Sequence, residues 1–170
     1  MAFSLLPTWR AEDVTQVTPA FLQKKNIRLL MLDFDNTLIP YTTNTPTDAV
    51  LQWLEEVSAV GITLCVVSNS KKSRVKEFCK KYGLHCVTHA NKPFSRGIKQ
   101  CLAMFAVPKN QAILIGDQIY TDTLGGNCAG VSTVLVRSIH NHTFWLKLRH
   151  IAEKPFILLA KNRRIKNEKS

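Results

Sequence analysis

The chain has 170 residues, 45% of them hydrophobic and 21% charged, which supplies one soluble domain with a substantial core and leaves too little length for two large ones. With 23 Lys and Arg against 12 Asp and Glu the formal charge is +11, so an anionic partner is expected: a nucleic acid, an anionic membrane surface or a phosphorylated substrate. The excess is uneven, because residues 137–170 hold 9 basic and 2 acidic side chains against 14 and 10 in residues 1–136; this reads as a basic tail on a nearly balanced domain.

A secretory leader is not expected, since Pro7 and the Glu12-Asp13 pair interrupt the opening. No window approaches the roughly 20 apolar residues that span a bilayer. Cys65, Cys79, Cys86, Cys101 and Cys128 form an odd set without a C-x-x-C pair, and read as reduced thiols of a cytoplasmic protein rather than disulfides or a zinc site. His140 and His142 have no cysteine nearby and read as surface residues.

Residues 1–26 form an irregular N-terminal arm marked by Pro7 and Pro19. Residues 27–32 are a short apolar run ending in polar residues, the pattern of a buried strand. A helix follows, with Thr45 as cap, Pro46 at its first position, Val50, Leu51, Leu54 and Val57 on one face, and Gly61 as its stop. Residues 62–67 are a second strand and 71–82 a second helix, closed by Gly83. The alternation continues with strands at 84–87, 112–115 and 131–136 and helices at 94–105 and 121–129, the last ended by Gly130. Strands alternating with helices predict an α/β domain over 27–136: a doubly wound, mostly parallel sheet with helices on both faces. In such sheets ligands bind beyond the carboxyl ends of the strands. That rule selects Asp33-Phe34-Asp35-Asn36-Thr37, Ser68-Asn69-Ser70, Asn91-Lys92-Pro93, and Gly116-Asp117 with Asp122.

Asp33 and Asp35, one residue apart at a strand end, point into a site while Phe34 points into the core. Two such carboxylates either share a proton or hold a metal. Asp117 adds a third carboxylate, and an oxygen-only set favours Mg²⁺ over zinc. Lys92 supplies a balancing positive charge and Ser68 a hydroxyl, a combination suited to phosphoryl transfer. Each piece also has an ordinary reading: Asp35 and Asn36 as turn caps, Lys92-Pro93 as a solvated loop start, Gly116-Asp117 as a turn and Asp122 as the start of a helix.

Asp33-Phe34-Asp35-Asn36-Thr37-Leu38, Ser68 after Val66-Val67, Lys92 before Pro93, and Gly116-Asp117 followed by Asp122 resemble, in order, the four signatures of the haloacid dehalogenase (HAD) superfamily. The resemblance implies that Asp33 is the nucleophile forming an aspartyl-phosphate and that Asp35 is the acid and base. It implies that Ser68 and the Asn69 amide bind the phosphoryl oxygens and that Lys92 neutralises Asp33 and the transferring group. Asp33, the backbone carbonyl of Asp35, and Asp117 would hold Mg²⁺, with Asp122 orienting the metal's water ligands. An acid at Asp35 is the mark of phosphatase-type members.

The 34 residues between Asp33 and Ser68, and the stretch from Ser68 to Lys92, leave no room for the cap domain that many relatives insert at one of these places. An open site is therefore expected, admitting a lipid headgroup, a polynucleotide end or a phosphoprotein, unless an oligomer covers it. In residues 137–170, Phe144, Trp145, Leu148 and Ile151 share a helical face beside a polybasic run. This segment packs on its own domain, lies on an anionic membrane or binds nucleic acid.

Leu5-Leu6-Pro7, the Leu32-to-Leu38 block, Asn91-Lys92-Pro93 and Gly116-Asp117-Gln118 with Thr121-Asp122 are similar to the capless YqeG-type phosphatases of subfamily IIIA. These are related to phosphatidylglycerophosphate phosphatases, which implies hydrolysis of that lipid at the inner membrane face. A soluble nucleotide, sugar or polynucleotide phosphate is the alternative substrate class, and a non-enzymatic scaffold binding RNA or protein is the second alternative.

Overall fold

The computed structural model describes residues 4–70, 73–139 and 155–165. Six strands, β1 (Trp9–Arg10), β2 (Leu29–Leu32), β3 (Thr63–Val67), β4 (His85–Val87), β5 (Ala112–Gly116) and β6 (Ser132–Leu135), form one sheet in the order β1-β6-β5-β2-β3-β4. Every pairing is parallel. Helices α1 (Pro19–Lys24), α2 (Asp48–Ala59), α3 (Ser73–Lys81), α4 (Arg96–Met104) and α5 (Leu124–Ala129) connect them. The sheet is doubly wound, as the alternating pattern predicts, and among the described residues no second folded unit is inserted between β2 and β3 or between β3 and β4.

Both faces of the sheet are buried, which is why its strands read as continuous apolar runs. Leu30, Leu32, Leu64, Val66, Ile113 and Ile115 face Trp53, Leu54 and Val57 of α2 and Val75 and Phe78 of α3. Leu29, Met31, Cys65, Val67 and Leu114 face Ile98 and Cys101 of α4 and Ala129 of α5. None of the five cysteines forms a disulfide.

The register places the site. Leu32 lies level with Val66 on one side and with Ile115 on the other, so the residues leaving β2, β3 and β5 emerge side by side. The chain runs outward from β2 through β3 to β4, then returns to the other side of β2 as β5. The gap between the loops after β2 and β5 is thus the switch point where doubly wound sheets bind ligands.

Several boundaries differ from the sequence reading. The arm read as irregular contains α1 and the edge strand β1, which pairs Trp9 with Val134 and Arg10 with Leu135. Two residues are too short a run to show a period. Thr47 rather than Thr45 caps α2, its hydroxyl accepting from the Val50 amide at 3.3 Å. The helix after Lys92 starts at Arg96, because Phe94 is held in a turn by its amide donating to the Asn91 carbonyl at 2.8 Å. The helical face expected from Phe144, Trp145, Leu148 and Ile151 lies outside the described residues, as do Lys71 and Lys72.

At Gly97 a Cβ would stand 2.6 Å from the Ala90 Cα and 2.7 Å from its carbonyl oxygen. Backbone cannot yield there without moving the loop that carries Lys92, so Gly97→Ala is expected to destabilise the fold by about 2–3 kcal/mol, measured as a lowered urea midpoint with an unchanged slope.

Candidate active site

Lys92 organises the carboxyl end of the sheet. Its side chain is buried, and Nζ donates to Asp33 Oδ1 at 2.6 Å and to the Val67 carbonyl at 2.6 Å and pairs with Asp122 Oδ1 at 2.7 Å. Asn69 holds the Lys92 backbone from both sides: its Oδ1 accepts from the Lys92 amide at 2.7 Å and its Nδ2 donates to the Lys92 carbonyl at 2.8 Å. Burial by itself lowers the pKa of Lys92, but the Asp122 and Asp33 carboxylates outweigh it and hold the ammonium above the ordinary lysine range.

Asp33, Asp117 and Asp122 are buried, and a carboxylate oxygen from each lies within 4.8 Å of the others. Burial, then Asp33 and Asp122, pushes the Asp117 carboxyl well above the usual carboxylate range. Burial likewise raises Asp122, partly offset by Lys92, to about 6. The Thr37 hydroxyl lies 3.4 Å from Asp33 Oδ2 and 3.3 Å from Asp117 Oδ1, bridging the two. Three buried carboxylates against one buried ammonium leave negative charge unbalanced, and an all-oxygen donor set is the kind that a hard divalent cation takes. The residues therefore fit a hard divalent cation such as Mg²⁺, which Asp33, Asp117 and Asp122 would hold through carboxylate oxygens.

Asp122 reaches this group through an irregular turn. The sequence reading ran one helix over 121–129; the structure has a π-helical turn at Ile119–Thr123 leading into α5. The amides of Asp122 and Thr123 both donate to the Gln118 carbonyl, at 3.0 and 3.2 Å. The wide turn folds the Asp122 carboxylate back, where Oδ2 accepts from the Gln118 amide at 3.1 Å. It passes so close to β5 that a Cβ on Gly116 would stand 2.3 Å from its Cγ. π-turns concentrate at functional sites for such reasons.

Asp35 faces the same cleft by a different route. Phe34 is fully buried, its ring 5.0 Å from that of Phe78, as the alternation predicts. Asn36 then takes a left-handed φ of 63°, which asparagine tolerates, and the chain turns back. The Asp35 carboxylate meets Arg74 of α3 at 3.2 Å instead of joining the three-carboxylate group. Arg74 also donates to the carbonyls of Tyr41 and Thr43, each at 2.7 Å, and its guanidinium lies 5.1 Å from the Phe34 ring centroid. Sequence reasoning missed Arg74. The available sign was a cation in the first turn of α3, where the helix dipole disfavours it.

The cleft holds about 420 Å³ and is lined by Asp33, Asp35, Tyr41, Ser68, Asn69, Ser70, Lys92, Gln118 and Thr121. Ser68 is buried, its hydroxyl accepting from the Ser70 amide at 3.0 Å. Asp33, Ser68, Lys92, Asp117 and Asp122, drawn from four separate loops, thus converge, with Asn69 and Asp35 at the same opening. A larger hollow of about 630 Å³ lies at the opposite end of the sheet, between the C-termini of α2 and α3, and none of these groups lines it.

An acidic pocket at the switch point of a parallel sheet, closed on a buried lysine and lipped by a hydroxyl, defines a phosphoryl-processing Rossmann-like hydrolase. The chain belongs to the haloacid dehalogenase-like hydrolase family, whose description matches residues 12–136. It is 33% identical over 131 residues to "Probable phosphatase YqeG" of Bacillus subtilis (strain 168), covering 77% of this chain and 76% of that protein. With such a relative, the chain is a phosphatase-type member of the family. It is also 24% identical over 163 residues to phosphatidylglycerophosphate phosphatase 1, chloroplastic/mitochondrial, of Arabidopsis thaliana, an alignment covering 91% of this chain and 44% of that protein. The crystal structure of 3-deoxy-D-manno-octulosonate 8-phosphate phosphatase from Yersinia pestis shares the fold, with a TM-score of 0.53 over 84% of this chain and 86% of that one at 15% identity.

Cation binding is expected to be visible in stability. Because Asp117 and Asp122 are held up by burial and by the Asp33 carboxylate, and Asp117 also by Asp122, their ionisation destabilises the metal-free fold as pH rises, and a bound cation would reverse that cost. Mg²⁺ at about a hundredfold excess over Kd should raise Tm by about 5–10 °C at neutral pH. The shift should shrink as pH falls below about 6, where Asp122 takes up its proton, and vanish in Asp117→Asn.

Proposed function

We propose that the protein is a Mg²⁺-dependent phosphatase that hydrolyses a phosphate monoester through an aspartyl-phosphate on Asp33. The observation that carries this reading is the Lys92 ammonium bound at once to Asp33 and Asp122, beside Asp117 and across the same cleft from Asp35. A bound Mg²⁺ would neutralise the carboxylates and the phosphoryl oxygens, so that an anionic substrate enters a site no longer negative.

Lys92 fixes the Asp33 carboxylate by one oxygen, and Asp33 attacks phosphorus, forming the Asp33–phosphorus bond as the bond to the leaving alcohol's oxygen breaks. Asp35 gives its proton to that oxygen. The Ser68 hydroxyl and the Asn69 amide bind the phosphoryl oxygens, and Lys92 offsets their charge. Asp35, now ionised, takes a proton from water as the water attacks phosphorus, which releases inorganic phosphate and restores Asp33.

The proposed substrate is phosphatidylglycerophosphate, presented at a membrane surface. Likeness to the Arabidopsis thaliana enzyme of that name supports it, as does the excess of basic residues, and among the described residues no cap covers the cleft. The open cleft equally suits a soluble nucleotide or sugar phosphate, which is the second reading.

Asp33→Asn is expected to lower kcat on p-nitrophenyl phosphate by about a thousandfold or more. Asp35→Asn should retain formation of the phosphoenzyme on that ester, whose leaving group needs no proton, and fail to hydrolyse it, so that label from a ³²P-ester accumulates on the protein. Wild-type turnover by the Asp33→Asn protein would remove the nucleophile assignment. A screen of phosphatidylglycerophosphate, mononucleotides, sugar phosphates and 5′-phosphorylated oligonucleotides, with and without Mg²⁺, separates the two substrate readings by kcat/KM.

A further inference from the structure

Among the described residues seven large hydrophobic side chains are exposed: Tyr41, Val60, Phe94, Met104, Ile139, Leu158 and Leu159. Val60 caps the end of α2 and Met104 ends α4; both helices lead into strands, so these two sit at the amino end of the sheet. The other five gather at the carboxyl end. Tyr41 lines the cleft. Phe94 is two residues beyond Lys92 and 74% exposed. Ile139 follows β6, its amide donating to the Asn36 carbonyl at 3.0 Å, next to Asp35. Leu158 and Leu159, 66% and 70% exposed, belong to a helical turn at 155–159. That turn is tied to the carboxyl end of β1 by Arg10 Nη1 donating to the Ile157 carbonyl at 3.0 Å, and Phe156 sets its ring 6.4 Å from Tyr120, beside the Gln118 and Thr121 that line the cleft.

Scattered exposed apolar residues need no explanation, but a collection of them around one opening does. These side chains stand on four separate segments around the cleft, an arrangement that suits shallow insertion at several points better than the reception of a peptide or helix. Exposed cations stand next to them in the chain: Arg96 two residues from Phe94 and Arg137 two residues from Ile139. Apolar tips with adjacent cations, on a chain of net charge +11, complement an anionic lipid surface, where the apolar groups enter the headgroup boundary and the cations meet lipid phosphates.

We propose that the rim formed by Tyr41, Phe94, Ile139, Leu158 and Leu159 seats the catalytic cleft face-down on an anionic bilayer. This deepens the lipid reading of the substrate and rests on it: the rim lowers the cleft to the headgroup plane, so that a phosphorylated headgroup reaches Asp33 without leaving the membrane.

The test is co-sedimentation of the full chain with vesicles of phosphatidylcholine, with and without phosphatidylglycerol, paired with turnover of p-nitrophenyl phosphate in solution. Wild type is expected to sediment with the anionic vesicles and not with the neutral ones. Phe94→Ser, and separately Leu158→Ser with Leu159→Ser, are expected to cut the bound fraction at least fivefold while leaving ester turnover within twofold of wild type. Two different segments are altered so that a folding defect in one variant does not decide the result. Wild type that stays in the supernatant overturns the proposal, as do rim variants that sediment like wild type, or a dimer in light scattering that buries Phe94 and excludes vesicles. Sedimentation needs no turnover: wild type that sediments through this rim but leaves phosphatidylglycerophosphate intact supports the seating and overturns the substrate reading instead.

Discussion

A single buried ammonium facing three buried carboxylates is the constraint around which the carboxyl end of the sheet is arranged. Burying Lys92 is costly, and the ion pairs with Asp33 and Asp122 at 2.6 and 2.7 Å offset that cost. The neighbouring features follow from keeping this geometry: Asn69 clamps the Lys92 backbone, and Gly116 leaves space for Asp122 to fold back. The aligned ends of β2, β3 and β5 bring the three loops level. Because one cation cannot balance three anions, the pocket retains a demand for positive charge. A divalent cation bound there would meet that demand and couple its binding to the stability of the fold.

Among the described residues no folded unit is inserted between β2 and β4 apart from α2, β3 and α3, and this changes where specificity can reside. An enclosed site reads its substrate with the walls of a closed chamber; here the described walls beyond the reacting groups are Tyr41, Ser70, Gln118 and Thr121. Recognition of the rest of a substrate then falls to the surface on which the cleft opens. The crowding of exposed apolar groups at that end of the sheet, and not at the other, is consistent with such a division of labour.

Much of this was legible in the sequence. Strands buried on both faces announce themselves as short apolar runs, and the helix stops at Gly61 and Gly83 were readable because positive φ, +80° and +66° here, favours glycine. The convergence of Asp33, Ser68, Lys92 and Asp117 followed from one rule about strand ends. What was not legible depends on contacts between distant segments. Arg74 reaches back to Asp35 and the 40–43 loop through tertiary packing that no local pattern encodes. The π-turn at Ile119–Thr123 looks like the start of an ordinary helix, because its periodicity differs by a fraction of a residue per turn. The edge strand β1 escaped because its pairing is set by β6, some 125 residues later.

That last pairing has a consequence for how the molecule holds together. Joining Trp9 to Val134 closes the longest span of chain of any strand pair in the sheet, and in return gains a ladder of only two residues. The same edge receives the far end of the described chain, with the Ile165 amide donating to the Arg10 carbonyl and Arg163 to the Pro7 carbonyl. The outermost strand therefore works as a latch that fastens the early and late segments of the described chain together. Amide hydrogens there would exchange with solvent before those of β2 and β5, and loosening the latch would release Leu158 and Leu159 while Asp33 and Lys92 stayed in place.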